Sequence, residues 1–216
     1  MRRRAKIINA GVTFWIVVAN FLLFIAFLIL LKVNEGFIDY IALKPRNILA
    51  GKYVWTIVTS MFAHAGFFHL FANMVSLIFL GGFLERIIGK KRFAAIYFIS
   101  GIVASAFFIL FSLIIKSELD AYAVGASGAI FGIAGVVMLL TPKLKVFIFP
   151  IPVAMPIYIA LLIALFGLWL ISWAAGLPIG NTAHFGGFVA GIAYGIFLRI
   201  KYRKKVLLIN KYLGIE

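Results

Sequence analysis

Apolar residues run along this chain in long blocks, and the charged residues fall between them. Charge-free runs cover residues 7–31, 53–84, 93–115, 121–142 and 146–198, with lengths of 25, 32, 23, 22 and 53 residues. A membrane-spanning helix takes about 20 consecutive apolar residues, so each of the first four runs holds one. The last holds two, because Gly176-Leu177-Pro178-Ile179-Gly180-Asn181-Thr182 interrupts it with helix-breaking residues. The pattern predicts six transmembrane helices, at about 11–31, 67–84, 93–115, 126–141, 153–174 and 183–199. The expected fold class is an all-α membrane bundle, with residues 1–216 as a single domain. Between the first two helices, residues 32–66 form a long outer loop. Its charges alternate with Phe37, Tyr40, Tyr53 and Trp55, a composition suited to the membrane interface.

Composition agrees with that reading. Hydrophobic residues make up 65% of the 216, charged residues 12%, and the mean hydropathy is +1.14. A soluble domain of this size would expose too much apolar surface. The absence of cysteine excludes a disulfide scaffold, and the apolar excess excludes a disordered chain.

A net charge of +15 would suit nucleic acid if the cations formed one patch, but they do not. With the N-terminus inside, the inner side receives Arg2, Arg3, Arg4, Lys6, Arg86, Lys90, Lys91, Arg92, Lys143 and Lys145, and everything from Arg199 onwards. Only Lys32, Lys44, Arg46, Lys52 and Lys116 fall outside. This is the positive-inside pattern. It predicts a multi-pass protein of the cell membrane with both termini cytoplasmic, in contact with membrane lipids and with no nucleic-acid partner. The Arg-rich start and first apolar run resemble a signal peptide, but the run is long and no small-x-small site follows. The first helix is therefore expected to be retained.

Polar groups inside a bilayer are costly and mark candidate sites. The chain has three histidines, His64, His69 and His184, each in or beside an apolar segment. A metal site is disfavoured. His64 and His69 are five residues apart rather than four, no cysteine exists, and the helix interiors offer no carboxylate at that level. Ser127 sits between glycines in Gly125-Ala126-Ser127-Gly128 at the start of the fourth helix. Gly128, Gly132 and Gly135 make one face of that helix small, and Gly187, Gly191 and Gly195 do the same in the sixth. Such faces let helices approach closely, and if these two meet, Ser127 and His184 come together.

Depth supports the pairing. Counted at about 1.5 Å per residue from the inner charge ending each helix, Ser127 lies about 24 Å up, His184 about 22, His69 about 25 and Asn73 about 20. The common level suggests a serine nucleophile with His184 as its base, working as a dyad without a carboxylate. His69 and Asn73, one turn apart, join the Ser127 backbone N–H as candidate oxyanion donors.

On these residues the chain resembles the rhomboid family of intramembrane serine proteases over essentially its whole length. The matching stretches are His69-x-x-x-Asn73, Gly81-Gly82-Phe83-Leu84-Glu85, Gly125-x-Ser127-Gly128 and Ala183-His184-x-x-Gly187-x-x-x-Gly191. The resemblance implies a six-helix core and cofactor-free cleavage of transmembrane proteins by a serine endopeptidase. Carried over by position, it makes Ser127 and His184 catalytic and His69 and Asn73 oxyanion stabilisers. It makes His64 a structural support and residues 32–66 the family's membrane-associated loop. Phe131, one turn after the serine, is expected to pack on His184; Gly125, Gly128, Gly187 and Gly191 support the close packing. Glu85 is expected to be structural. Where the family's loop often has Trp-Arg, Trp55 here precedes Thr56. Substrate helices are expected to reach the site laterally, between helices 2 and 5. The alternative is a non-catalytic rhomboid-like binder of membrane helices; a transporter ranks last, because no internal repeat is evident.

Overall fold

The computed structural model of the chain describes residues 10–148, 151–175 and 180–215. Arg2, Arg3, Arg4 and Lys6, and the breaker residues from Gly176 to Ile179, lie outside the described residues. The long helices are α1 (Val12–Val33), α2 (Phe67–Ile88), α3 (Lys90–Ser112), α4 (Ser127–Leu140), α5 (Ile157–Ala175) and α6 (Asn181–Lys201), followed by a short α7 (Arg203–Tyr212). Among the described residues, α1, α2, α3, α5 and α6 are long and apolar enough to cross a bilayer. The protein is an all-α membrane bundle.

Three boundaries differ from the sequence expectation. The fourth helix has 14 residues, so it rises only about 21 Å, less than a hydrocarbon core of about 30 Å. Its end away from Ser127 is Leu140, and the chain turns before Lys143, which shortens the depth counted for Ser127. The fifth helix starts at Ile157 rather than near 153. The residues before it pair as an antiparallel hairpin, β1 (Lys145–Ile148) with β2 (Ile151–Pro156). Pro152 and Pro156 lack the N–H that a helix interior requires. The second helix continues past residue 84 to Ile88 and contains one wide turn at Leu77–Gly81 with i→i+5 geometry.

The continuation of α2 carries Glu85, which is structural and not a solvated charge. Its side chain is 8% exposed and accepts hydrogen bonds from Val12 N (2.7 Å), Thr13 N (2.9 Å) and Thr13 Oγ1 (2.7 Å). The first N–H groups of a helix have no internal acceptor, so this carboxylate caps α1 from across the bundle. Glu85→Ala is expected to destabilise the protein by about 2–4 kcal/mol, with Glu85→Gln between, read as a lowered thermal midpoint in detergent.

Packing centres on α4. A Cβ on Gly187 would overlap the Gly128 carbonyl, and one on Gly191 would overlap that of Gly132. The small faces of α4 and α6 therefore meet backbone to backbone, as their spacing predicts. Ala104 and Ser100 of α3 close against Gly128 and Gly132 from another side.

At the end of the bundle nearest Ser127, the loop from residue 34 to 66 is a series of helical turns. Phe37, Tyr40, Tyr53 and Trp55 form an aromatic cluster there, and Trp55 Nε1 donates to the Tyr40 carbonyl (3.0 Å). Among the described residues, the Thr56 hydroxyl bonds locally, to the Tyr53 carbonyl. The loop is fastened by Arg46, whose Nε and Nη2 donate to the two carboxylate oxygens of Asp120 (2.7 and 2.6 Å). Leu43 and Ala123 exchange a pair of backbone bonds beside it. Arg46 holds the Asp120 carboxyl down at about 2, below its ordinary value of 3.8. A depressed carboxylate contributes stability that is present above its unfolded value and lost as pH falls through the folded one. The thermal midpoint of wild type should therefore fall between about pH 4 and pH 2, a dependence that Asp120→Asn diminishes.

Candidate active site

Ser127 opens α4, and the turn before it is fixed from two sides. The Gly125 N–H donates to the Ser60 carbonyl (2.9 Å), and Gly125 has φ +116°, a region that disfavours side chains. A Cβ there would also strike the His69 ring, 2.8 Å from its Cε1 and 2.9 Å from Nε2. Glycine is thus required both by the backbone and by the histidine lying over it.

Across the α4–α6 contact, Ser127 Oγ lies 2.7 Å from His184 Nε2. Phe131, one turn below the serine, stacks on the His184 ring at 4.8 Å between centroids and 30° between planes. The His184 Nδ1 is buried and has no partner among the described residues. Among the described residues no carboxylate orients the ring; Phe131 and the glycine contact one turn along α6 hold it in place.

His69 lies on α2 with its ring over Gly125. Its Nδ1 accepts from the Ala65 N–H at 3.4 Å, a bond that assigns a neutral ring its proton at Nε2, on the side of Gly125. Asn73 sits one turn along α2. Its amide nitrogen donates to the His69 carbonyl (2.8 Å), so one of its two hydrogens is used, and its Oδ1 is buried without a partner. His64 lies edge-on to His69, with centroids 5.2 Å apart and both nitrogens buried and unpaired. The structure thus gathers His69 beside the Ser127–His184 pair, while Asn73 is turned towards its own helix and His64 braces His69.

Sequence reasoning missed the frame around this site. The segment 118–125, just before Ser127, joins the Arg46 loop on one side. On the other, Thr182 Oγ1 donates to Glu118 Oε2 (3.2 Å), two residues before His184. Burial pushes the Glu118 carboxyl up. The signals were opposite charges and a hydroxyl 64 to 74 residues apart, which no local spacing links.

A serine hydroxyl paired with a histidine inside a helical membrane bundle defines the class to which this site belongs. A Rhomboid domain matches residues 51–201, more than half of the chain, and the protein belongs to the rhomboid family. It is 34% identical over 163 residues to RHOMBOID-like protein 5 of Arabidopsis thaliana, covering 74% of this chain and 48% of that one. It is 31% identical over 149 residues to Rhomboid protein 1, mitochondrial, of Saccharomyces cerevisiae, covering 66% and 41%. It is 35% identical over 142 residues to Inactive RHOMBOID-like protein 8 of Arabidopsis thaliana, covering 63% and 36%. The chain spans less than half the length of these relatives. At the family level the activity is intramembrane proteolysis, and a relative named inactive belongs to the same set.

Proposed function

We propose that this protein is a serine endopeptidase that cleaves transmembrane proteins in or near the outer part of their membrane segments. The observation that carries the reading is the 2.7 Å approach of Ser127 Oγ to His184 Nε2. In this reading Ser127 Oγ attacks the scissile carbonyl carbon while His184 Nε2 takes its proton. The tetrahedral oxyanion accepts from His69 Nε2–H, from the Ser127 N–H in the first turn of α4, and from Asn73 once its amide rotates. Collapse breaks the peptide C–N bond, and His184 returns the proton to the leaving amine. Water, deprotonated by His184, then hydrolyses the Ser127 ester and restores the hydroxyl.

A substrate helix satisfies its own backbone, so its peptide bond is open to attack only after local unwinding. Lateral access between α2 and α5 fits the packing of α5, which rests on α4, α6 and the hairpin and shows Phe166, Trp169 and Trp173 outward. In the same reading residues 1–216 are one domain of a cell membrane, the site opens to the outer face, and both termini are cytoplasmic, the last supported by the positive-inside pattern. The competing reading, a non-catalytic binder of membrane helices, is favoured by the inactive relative. A fluorophosphonate probe separates the two: it is expected to label wild type at Ser127 and to leave Ser127→Ala unlabelled. Failure to label wild type, together with failure to cleave any of a panel of single-span substrates in lipid, sinks the protease reading.

A further inference from the structure

We propose that the groove between α1 and α2 at the basic end of the bundle, far from Ser127, is a binding site for an anionic phospholipid. The groove holds about 660 Å³, within the range of about 300–1,000 Å³ typical of ligand sites. Phe14, Val17 and Ile78 line its length, Gly82 leaves it open, and Arg86 and Lys90 stand at its mouth. Phe14 and Ile78 are about half exposed, so the walls face the hydrocarbon between two spanning helices.

The charges at the mouth select the occupant. The carboxylate of Glu85, also in the groove, is turned to the start of α1 by the bonds from Val12 and Thr13, and its one negative charge, which also acts on Lys90, is set against the two cations Arg86 and Lys90. Lys90 Nζ donates to the Ala10 carbonyl (2.9 Å), which holds its cation at the rim. Arg86 is exposed and has no ion pair among the described residues. A net positive mouth above apolar walls matches a negative headgroup above an acyl chain, and basic pockets between transmembrane helices bind such headgroups. A free phosphate ion would use the cations but leave the walls without a purpose. The wide turn Leu77–Gly81 includes Ile78 and adjoins Gly82, and such turns cluster at functional sites. An acyl chain there would brace α2 below the stretch that carries His69 and Asn73.

The test is lipid retention by the full-length protein in detergent, measured by native mass spectrometry during titration with phosphatidylglycerol or phosphatidylcholine. Wild type should retain phosphatidylglycerol more tightly. Arg86→Gln with Lys90→Gln should weaken that retention about 30-fold, the weight of two interfacial cations, and leave phosphatidylcholine unchanged. Gly82→Leu should weaken both lipids, because a side chain there meets nothing within 4 Å and fills the groove. Lys204→Gln with Lys205→Gln, the same charge loss on α7, should change nothing. The proposal is overturned if wild type shows no preference for phosphatidylglycerol, or if the two charge-removing pairs weaken it equally. It is overturned equally if the groove is filled by a second copy of the chain, seen as a dimer that Gly82→Leu dissociates. The wild-type comparison needs no variant to fold, and none of these readouts depends on cleavage.

Discussion

Ser127→Ala is expected to lower the cleavage of a single-span substrate in lipid by about 10⁴-fold or more. In the proposed mechanism the Ser127 hydroxyl oxygen forms the covalent bond, and it is the hydroxyl that lies 2.7 Å from His184 Nε2. The fold should survive, since Ser127 is only partly buried and alanine suits the start of α4. His184→Ala should cost about as much, and the double variant little more, because a nucleophile and its base act as one unit. A rate is measured for each variant with purified protein, at one lipid composition and one substrate. Cleavage by Ser127→Ala at the wild-type rate removes the serine mechanism outright. Cleavage by His184→Ala within tenfold of wild type would leave the serine but reassign its base.

Much of this architecture is legible in where charge is missing. The gaps between charges locate the spanning helices, and the small residues at four-residue spacing locate the α4–α6 contact. That contact brings together two residues 57 positions apart, Ser127 and His184. What stays hidden has a common physical cause: it depends on partners distant in sequence or on backbone pairing that hydropathy does not register. Residues 145–156 are nearly free of charge, so a charge count merges them with α5, although their prolines mark the break. Glu85 is expected to be structural, but its partners, the N–H groups of Val12 and Thr13, lie 73 and 72 residues away, beyond any local spacing. With threonine after Trp55, the loop's anchoring falls to Arg46, whose partner Asp120 lies 74 residues on. Asn73 is at the expected level but spends a hydrogen on its own helix, a preference that i, i+4 spacing permits and depth counting cannot detect.

That difference between His69 and Asn73 separates their expected contributions. His69 presents Nε2–H on the Gly125 side of the site, because Ala65 N–H occupies Nδ1 and His64 supports the ring. In the proposed mechanism that places it near the oxyanion, since His69 Nε2 and Ser127 Oγ both lie within 4 Å of one point at Gly125. His69→Ala is therefore expected to reduce kcat by about 10²–10³-fold, the loss typical of a preorganised oxyanion donor, with KM little changed. Asn73 must either give up its bond to the His69 carbonyl or use its remaining hydrogen, and either way it loses part of what it gains. Asn73→Ala should cost no more than about tenfold, roughly 1.4 kcal/mol, and part of that through a looser His69. Steady-state kinetics on one substrate decides the order. If Asn73→Ala proves the more damaging, the amide has already rotated in the working enzyme, and His69 serves it as a support rather than as the leading donor.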